Sequence, residues 1–172
     1  MIGPLTATAL TWMGISIIDQ RNEKARAQWV ATMLAQQSGK PIINIGAGCD
    51  PFGNVRCDVF PQCFATYCDA KDLGQYGDGQ FGVAFLSHVL EHVDDPVQVL
   101  REARRVADNV VVVIPNLTQP LNWVHPGHKY LWWQEPFRLN LGLRLVVAGL
   151  VGGVVYLSLR EVKKGASSGA KR

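Results

Sequence analysis

Apolar and polar positions alternate in three different textures along the chain. Met1 to Ile18, "MIGPLTATALTWMGISII", carries no charge, and "DQRNEKARAQ" directly after it is strongly polar. Eighteen residues is the lower limit for a membrane span, and four hydroxyl residues and two glycines dilute this one. The reading that suits the whole stretch is one helix. It packs an apolar face on the domain and runs through "ARAQWVATMLAQQ" to a stop at "SGKP". A membrane-associated segment is the alternative.

From Pro41 the texture changes to short apolar runs alternating with helical stretches. "PIINI" reads as a buried strand closed by "GAG", "NVRCDVF" as a second ending near an acid, "TYC" as a third and "FGVAFLS" as a fourth. In "DDPVQVLREARRVA" an aspartate N-cap precedes Pro96 at the first helical position, and Val99, Ala103 and Val106 recur at helical spacing. "NVVVVIP" is a fifth strand, continuous in β-branched residues as in a sheet covered on both faces. The fold class expected is α/β: a Rossmann-like, mostly parallel sheet with helices on both faces and right-handed crossovers.

The third texture, Leu139 to Leu159, "LNLGLRLVVAGLVGGVVYLSL", allows two readings. It is long enough to span a bilayer and holds a Gly149–Gly153 pair, yet Arg144 lies inside it. It also divides into a helix, "PFRLNLGLRLVVAGL", a glycine turn and a strand, "VVYLSLREV". The layout expected is a helical segment over 1–38, an α/β domain over 39–160 and a basic tail over 161–172.

Composition narrows the partners. Of 172 residues 48% are apolar and 18% charged, which suits a globular chain with a real core. A net charge of +3 gives no case for nucleic acid, and Arg160, Lys163, Lys164, Lys171 and Arg172 fall in the tail. Cys49, Cys57, Cys63 and Cys68 form no C-x-x-C pair, and no charged start of a secretory signal precedes them. They read as reduced and mostly buried, in a cytoplasmic compartment.

"LSHVLEHVDDP" contains H-x-x-E-H, from His88 through Glu91 to His92, the spacing of an inverted zinc-protease helix. That helix needs several turns, whereas the strand runs directly into His88 and a capped helix starts at Pro96. The string is therefore the turn after the fourth strand, and no metal site is expected. Turns at this carboxyl edge are where open parallel sheets bind ligands.

Other strand ends carry candidates too. Gly46 and Gly48 permit a tight turn and close backbone approach, while Pro51 stands where a dinucleotide fingerprint needs glycine. Asp58 ends the second strand, where a carboxylate can accept both hydroxyls of a ribose. Asp69, after the third, is placed to meet an adenine amino group.

"INIGAGCD", "CDVFP", "DAKDLG", "FLSHVLEHVDDPVQVLREARRV" and "VVVVIPN" together resemble a small class I S-adenosylmethionine-dependent methyltransferase of the type 11 group, over roughly Pro41 to Asn116. The resemblance implies S-adenosylmethionine as cofactor, with Gly46 and Gly48 around its methionine part, Asp58 on the ribose and Asp69 on the adenine. Asn44, Ala70 and Ser87 complete the implied cofactor set. Several features depart from the family pattern. Asn44 replaces an acid, Asp50 a glycine, and "CDPFGNVR" is too short for the usual first crossover helix; the fold is expected to be shortened relative to a full seven-stranded methyltransferase.

Methyl transfer needs orientation above all, and a base only when the acceptor carries a proton that must leave. His88 and His128 are the catalytic candidates, with His125 beside the latter; imidazole titrates close to neutral pH. Glu91 reads as a structural acceptor. Trp123, Tyr130, Trp132 and Trp133 form either a wall over the acceptor or core. The expected partner is an unidentified methyl acceptor. The alternative function is an inactive subunit of the same fold serving in assembly, with membrane or protein-complex association through the apolar ends.

Overall fold

A computed structural model describes the backbone of residues 4–115, 122, 125–132 and 136–138, and the side chains of 17–115, 122 and 125–130. The chain forms two compact units, one of residues 21–115 and one of residues 1–20 with 116–172.

The first element, α1 (Pro4–Ser38), is the single helix expected from the opening pattern. Proline at its first position has no amide hydrogen to leave unpaired. Gly39, at φ +66°, ends it in the left-handed conformation that glycine adopts at little cost. No helix among the described residues is long and apolar enough to cross a membrane. The span weighed over 139–159 lies outside the described residues.

In the unit of residues 21–115 five strands follow: β1 (Ile42–Ile45), β2 (Val55–Asp58), β3 (Thr66–Tyr67), β4 (Phe81–Ser87) and β5 (Ala107–Val113). They form one sheet in the order β3-β2-β1-β4-β5, every pair parallel. The α/β, Rossmann-like expectation is met. Only the β4–β5 crossover carries a helix, α2 (Pro96–Val106), so the short connection after β1 is indeed helix-free. Asp95 caps α2 by accepting from the Gln98 amide at 2.9 Å, with Pro96 at the first turn.

Side chains alternate across the strands. Ile42, Val83, Phe85 and Val113 face α1, meeting Ala31 and Ala35, and Phe52 closes edge-on over Phe85 at a centroid distance of 4.8 Å. Small residues on α1 allow this approach, and so does Gly82, where a Cβ would run into Ser38 and the Lys40 carbonyl. Ile43, Ile45, Ala84 and Leu86, all fully buried, point to the other face, where α2 buries Val99, Ala103 and Val106.

The cysteine expectation is corrected by the fold. All four are paired, Cys49 with Cys63 and Cys57 with Cys68, at Cα separations of 5.0 and 5.4 Å, within disulfide reach. Pairing of β2 with β3 sets Cys57 opposite Thr66 and so brings Cys68 close. The intervening loop returns through left-handed Cys63 and Phe64, at φ +49° and +70°.

The other unit contains an antiparallel pair, β6 (Tyr130–Trp132) and β7 (Pro136–Arg138). Here the helix expected to begin at Pro136 is corrected: its first three residues are strand, because proline at the start of a short edge strand gives up no ladder donor. The remainder of that predicted helix lies outside the described residues.

Candidate functional site

β1 sits between β2 and β4, and the chain leaves it towards β2 and returns later through β4. This is the reversal point at whose carboxyl edge parallel sheets open a crevice. Pairing of Ile45 with Cys57 on one side and Leu86 on the other brings the ends of β1, β2 and β4 level.

The loop after β1 is held from all sides. The Gly46 and Ala47 amides both donate to the Cys57 carbonyl, at 2.8 and 3.1 Å, and the Gly48 amide donates to Asp58 Oδ2 at 2.8 Å. Asp58 Oδ1 accepts from the Phe60 amide at 2.9 Å, so one carboxyl binds the loops after β1 and β2 together. Both glycines have positive φ, +70° at Gly46 and +51° at Gly48, a region that suits glycine. They differ in surroundings. A Cβ on Gly46 would sit 2.5 Å from Val89 Cγ2, whereas one on Gly48 would meet nothing within 4 Å. Gly46 seats the turn after β4, and Gly48 faces open space.

Asn44 is buried at 1% exposure and spends its amide on the Phe52 carbonyl at 3.1 Å, so it braces the loop. Asp50, a residue the sequence reading left without a role, is the loop's second anchor. Its Oδ2 pairs with Lys24 Nζ at 2.8 Å and accepts from Gln28 at 3.3 Å, both from α1. Burial pushes its carboxyl up, but the bonds from Lys24, the Phe52 amide and Asn44 together hold it below the ordinary carboxylate range. Only the acid itself was visible in the sequence, because its two partners on α1, Lys24 and Gln28, lie more than twenty residues away.

Asp58 and Asp69 each follow one half of the Cys57–Cys68 disulfide, and the Cys68 amide donates to the Asp58 carbonyl at 3.1 Å. This brings the second and third acidic strand ends side by side. Asp69 Oδ1 accepts from the Lys71 amide at 2.9 Å in a tight turn, and Ala70 is half-buried beside it. The segment beyond is tied to α2, where Glu102 accepts from the Leu73 amide at 3.0 Å. Arg105 bonds Glu102 at 2.8 Å, Asp78 at 2.7 Å and the carbonyls of Leu73 and Tyr76. The guanidinium holds the Glu102 carboxyl below its ordinary range against the opposing pull of burial.

At the end of β4 the chain turns sharply. His88 has φ +58°, uncommon for a residue with a side chain and costing roughly 1 kcal/mol. Its amide donates to the Val113 carbonyl at 2.9 Å, and its Nδ1 lies 3.1 Å from Glu91 Oε1. Glu91 is fully buried, while the His88 side chain is 31% exposed. Residues 88–95 form no helix, in keeping with the turn expected there. Among the described residues, the buried side-chain atoms with no hydrogen-bond partner are Ser87 Oγ and Glu91 Oε2. Leaving such an atom unpaired costs about 1–3 kcal/mol, so two at one strand end mark a place kept for something other than packing.

His128 belongs to the other unit. It is buried, with Nδ1 3.0 Å from the Asn122 carbonyl and its ring 4.3 Å from that of His125.

Residues 54–112 match the family model described as a methyltransferase domain. That stretch runs from β2 through β5 of the parallel sheet and covers about a third of the chain. No curated protein and no solved structure matches the chain.

Proposed function

We propose that the chain transfers methyl groups from S-adenosylmethionine, held by the loops after β1, β2 and β3, to an acceptor at the end of β4. The observation that carries this reading is Gly48, fixed by Asp58 yet open on the side where a Cβ would project. A backbone presented in this way can approach a ligand more closely than any side chain allows.

The remaining residues fit the same cofactor. A carboxylate offers about four lone-pair sites, and Asp58 uses one on each oxygen for its backbone bonds. Capacity remains for two ribose hydroxyls. Asp69, half-buried beside it, keeps acceptor capacity for an adenine amino group. Ser87 Oγ, buried and unpartnered, is available where the methionine part would reach β4. The bound sulfonium would supply an electrophilic methyl group; the chain's contribution is to orient it and exclude water.

Two disulfides favour an oxidising compartment over the reducing one expected from the sequence.

Calorimetric titration with S-adenosylmethionine and S-adenosylhomocysteine tests the reading, with Gly48→Asn as control. Asparagine tolerates a left-handed backbone, so this variant fills the open space while the loop keeps its shape. Saturable binding lost in Gly48→Asn supports the enzyme. No binding by folded wild-type protein overturns it in favour of the same fold serving as an assembly subunit.

A further inference from the structure

His88 and Glu91 make a pair whose geometry exceeds what closing a turn requires. Glu91 is fully buried and meets His88 through one oxygen only, leaving the other unpaired. A turn could be closed by an apolar side chain at 91 with no such orphan. The backbone at His88 accepts a left-handed φ of +58° to hold the imidazole in place, and strain of this kind gathers at functional sites. Because Nδ1 is engaged by the buried carboxyl, Nε2 is the ring nitrogen left for another partner, on a side chain that is 31% exposed.

We propose that Glu91 is a positioning residue that fixes the proton on Nδ1, and that His88 Nε2 is the base for a methyl acceptor carrying an O–H or N–H proton. This rests on the methyl-transfer reading and adds the acceptor's class. The acceptor's lone pair forms the new bond to the methyl carbon as the carbon–sulfur bond breaks, and that bond's electrons remain on sulfur. The acceptor's proton moves to Nε2 and then to water. The carboxyl behind Nδ1 stabilises the imidazolium meanwhile, as the aspartate of a serine-protease triad does for its histidine.

The location suits the role. The turn that carries His88 lies directly on the cofactor loop, since Val89 fills the space beside Gly46. His88 therefore stands at the carboxyl end of β4, where the ends of β1 and β4 are level, one residue from the side chain that packs on Gly46.

Nitrogen-15 spectra of the imidazoles, in wild type and in Glu91→Gln, read the tautomer directly. The wild type is expected to hold the proton on Nδ1 when neutral. Glu91→Gln, whose amide can donate to Nδ1, is expected to move it to Nε2 with little change in fold, which tests the pairing, while the transfer assay below tests the base. An unchanged tautomer, or Nε2–H already in the wild type, overturns the dyad. Methyl transfer from S-adenosylmethionine to a series of substituted phenols and primary amines then reads the acceptor class. Transfer that rises with pH and falls roughly 10²–10⁴-fold in His88→Gln supports the base. Equal transfer in His88→Gln, or none to any protic probe by protein that binds S-adenosylhomocysteine, overturns it. Calorimetry on the same samples isolates the underlying reading: without cofactor binding that reading fails, and the spectra alone decide the dyad.

Discussion

Gly48 donates its amide to Asp58 Oδ2 at 2.8 Å, so the acid that ends β2 fixes the conformation of the loop that ends β1. The same carboxyl holds the Phe60 amide. Asp58→Ala removes two charge-assisted bonds and should cost about 2–4 kcal/mol of stability, read as a fall in the urea midpoint. Cofactor binding should disappear with it. Asp58→Asn, which keeps one acceptor oxygen, should lose less stability. An Asp58→Ala protein with an unchanged midpoint would mean that the loop is held by something else.

Gly46 meets a different constraint. Alanine there must adopt φ +70° and place its Cβ 2.5 Å from Val89 Cγ2. Gly46→Ala should destabilise the chain by about 1–3 kcal/mol. Adding Val89→Ala removes the overlap but leaves the backbone term. A double-mutant cycle should therefore show positive coupling between the two positions, and strict additivity would refute the proposed contact.

Acid should loosen the tie between α2 and the β3–β4 connection. The folded-state pKa of Glu102 is depressed, chiefly by Arg105. Its contribution is accordingly present above the unfolded carboxylate value and lost as the pH falls through the depressed folded one. The stability gap between wild type and Glu102→Gln, clear at pH 7, should narrow as acid is added below about pH 4.3. A gap constant with pH would exclude the ion pair as its source. Asp50, depressed through Lys24, Phe52 and Asn44 against its burial, should act in the same sense.

The disulfides should differ in how readily they open. Cys49 and Cys63 are exposed, whereas Cys57 and Cys68 are 0% and 2% exposed. Mild reductant in native buffer should open the first pair before the second, as read by mass-shifting thiol labels. Each closes a short loop, with sequence separations of 14 and 11. Losing either should cost about 3 kcal/mol, measured by urea titration of the paired serine variants. Simultaneous opening of both pairs would contradict the difference in accessibility.

These cases also show what the sequence could express. The strand "FGVAFLS" and the helix begun by Pro96 were legible because burial on both sides and a proline at the first turn are local signals. The helix-free link after β1 followed from its length alone. Cysteine pairing was not legible, since it depends on how β3 registers against β2 and on a loop that returns through two left-handed residues. Lys24 and Gln28 likewise reach Asp50 only once α1 lies on the sheet. Glu91 read as a structural acceptor, because no pattern of neighbours reveals that a carboxyl is fully buried with one oxygen unpaired.

With no helix between β1 and β2, the intervening loop is pinned instead by an ion pair, a shared carboxyl and a covalent link. A loop restrained in this way has little freedom left to surrender when a ligand arrives. Its ordering was completed during folding, so association bears less of that entropic cost.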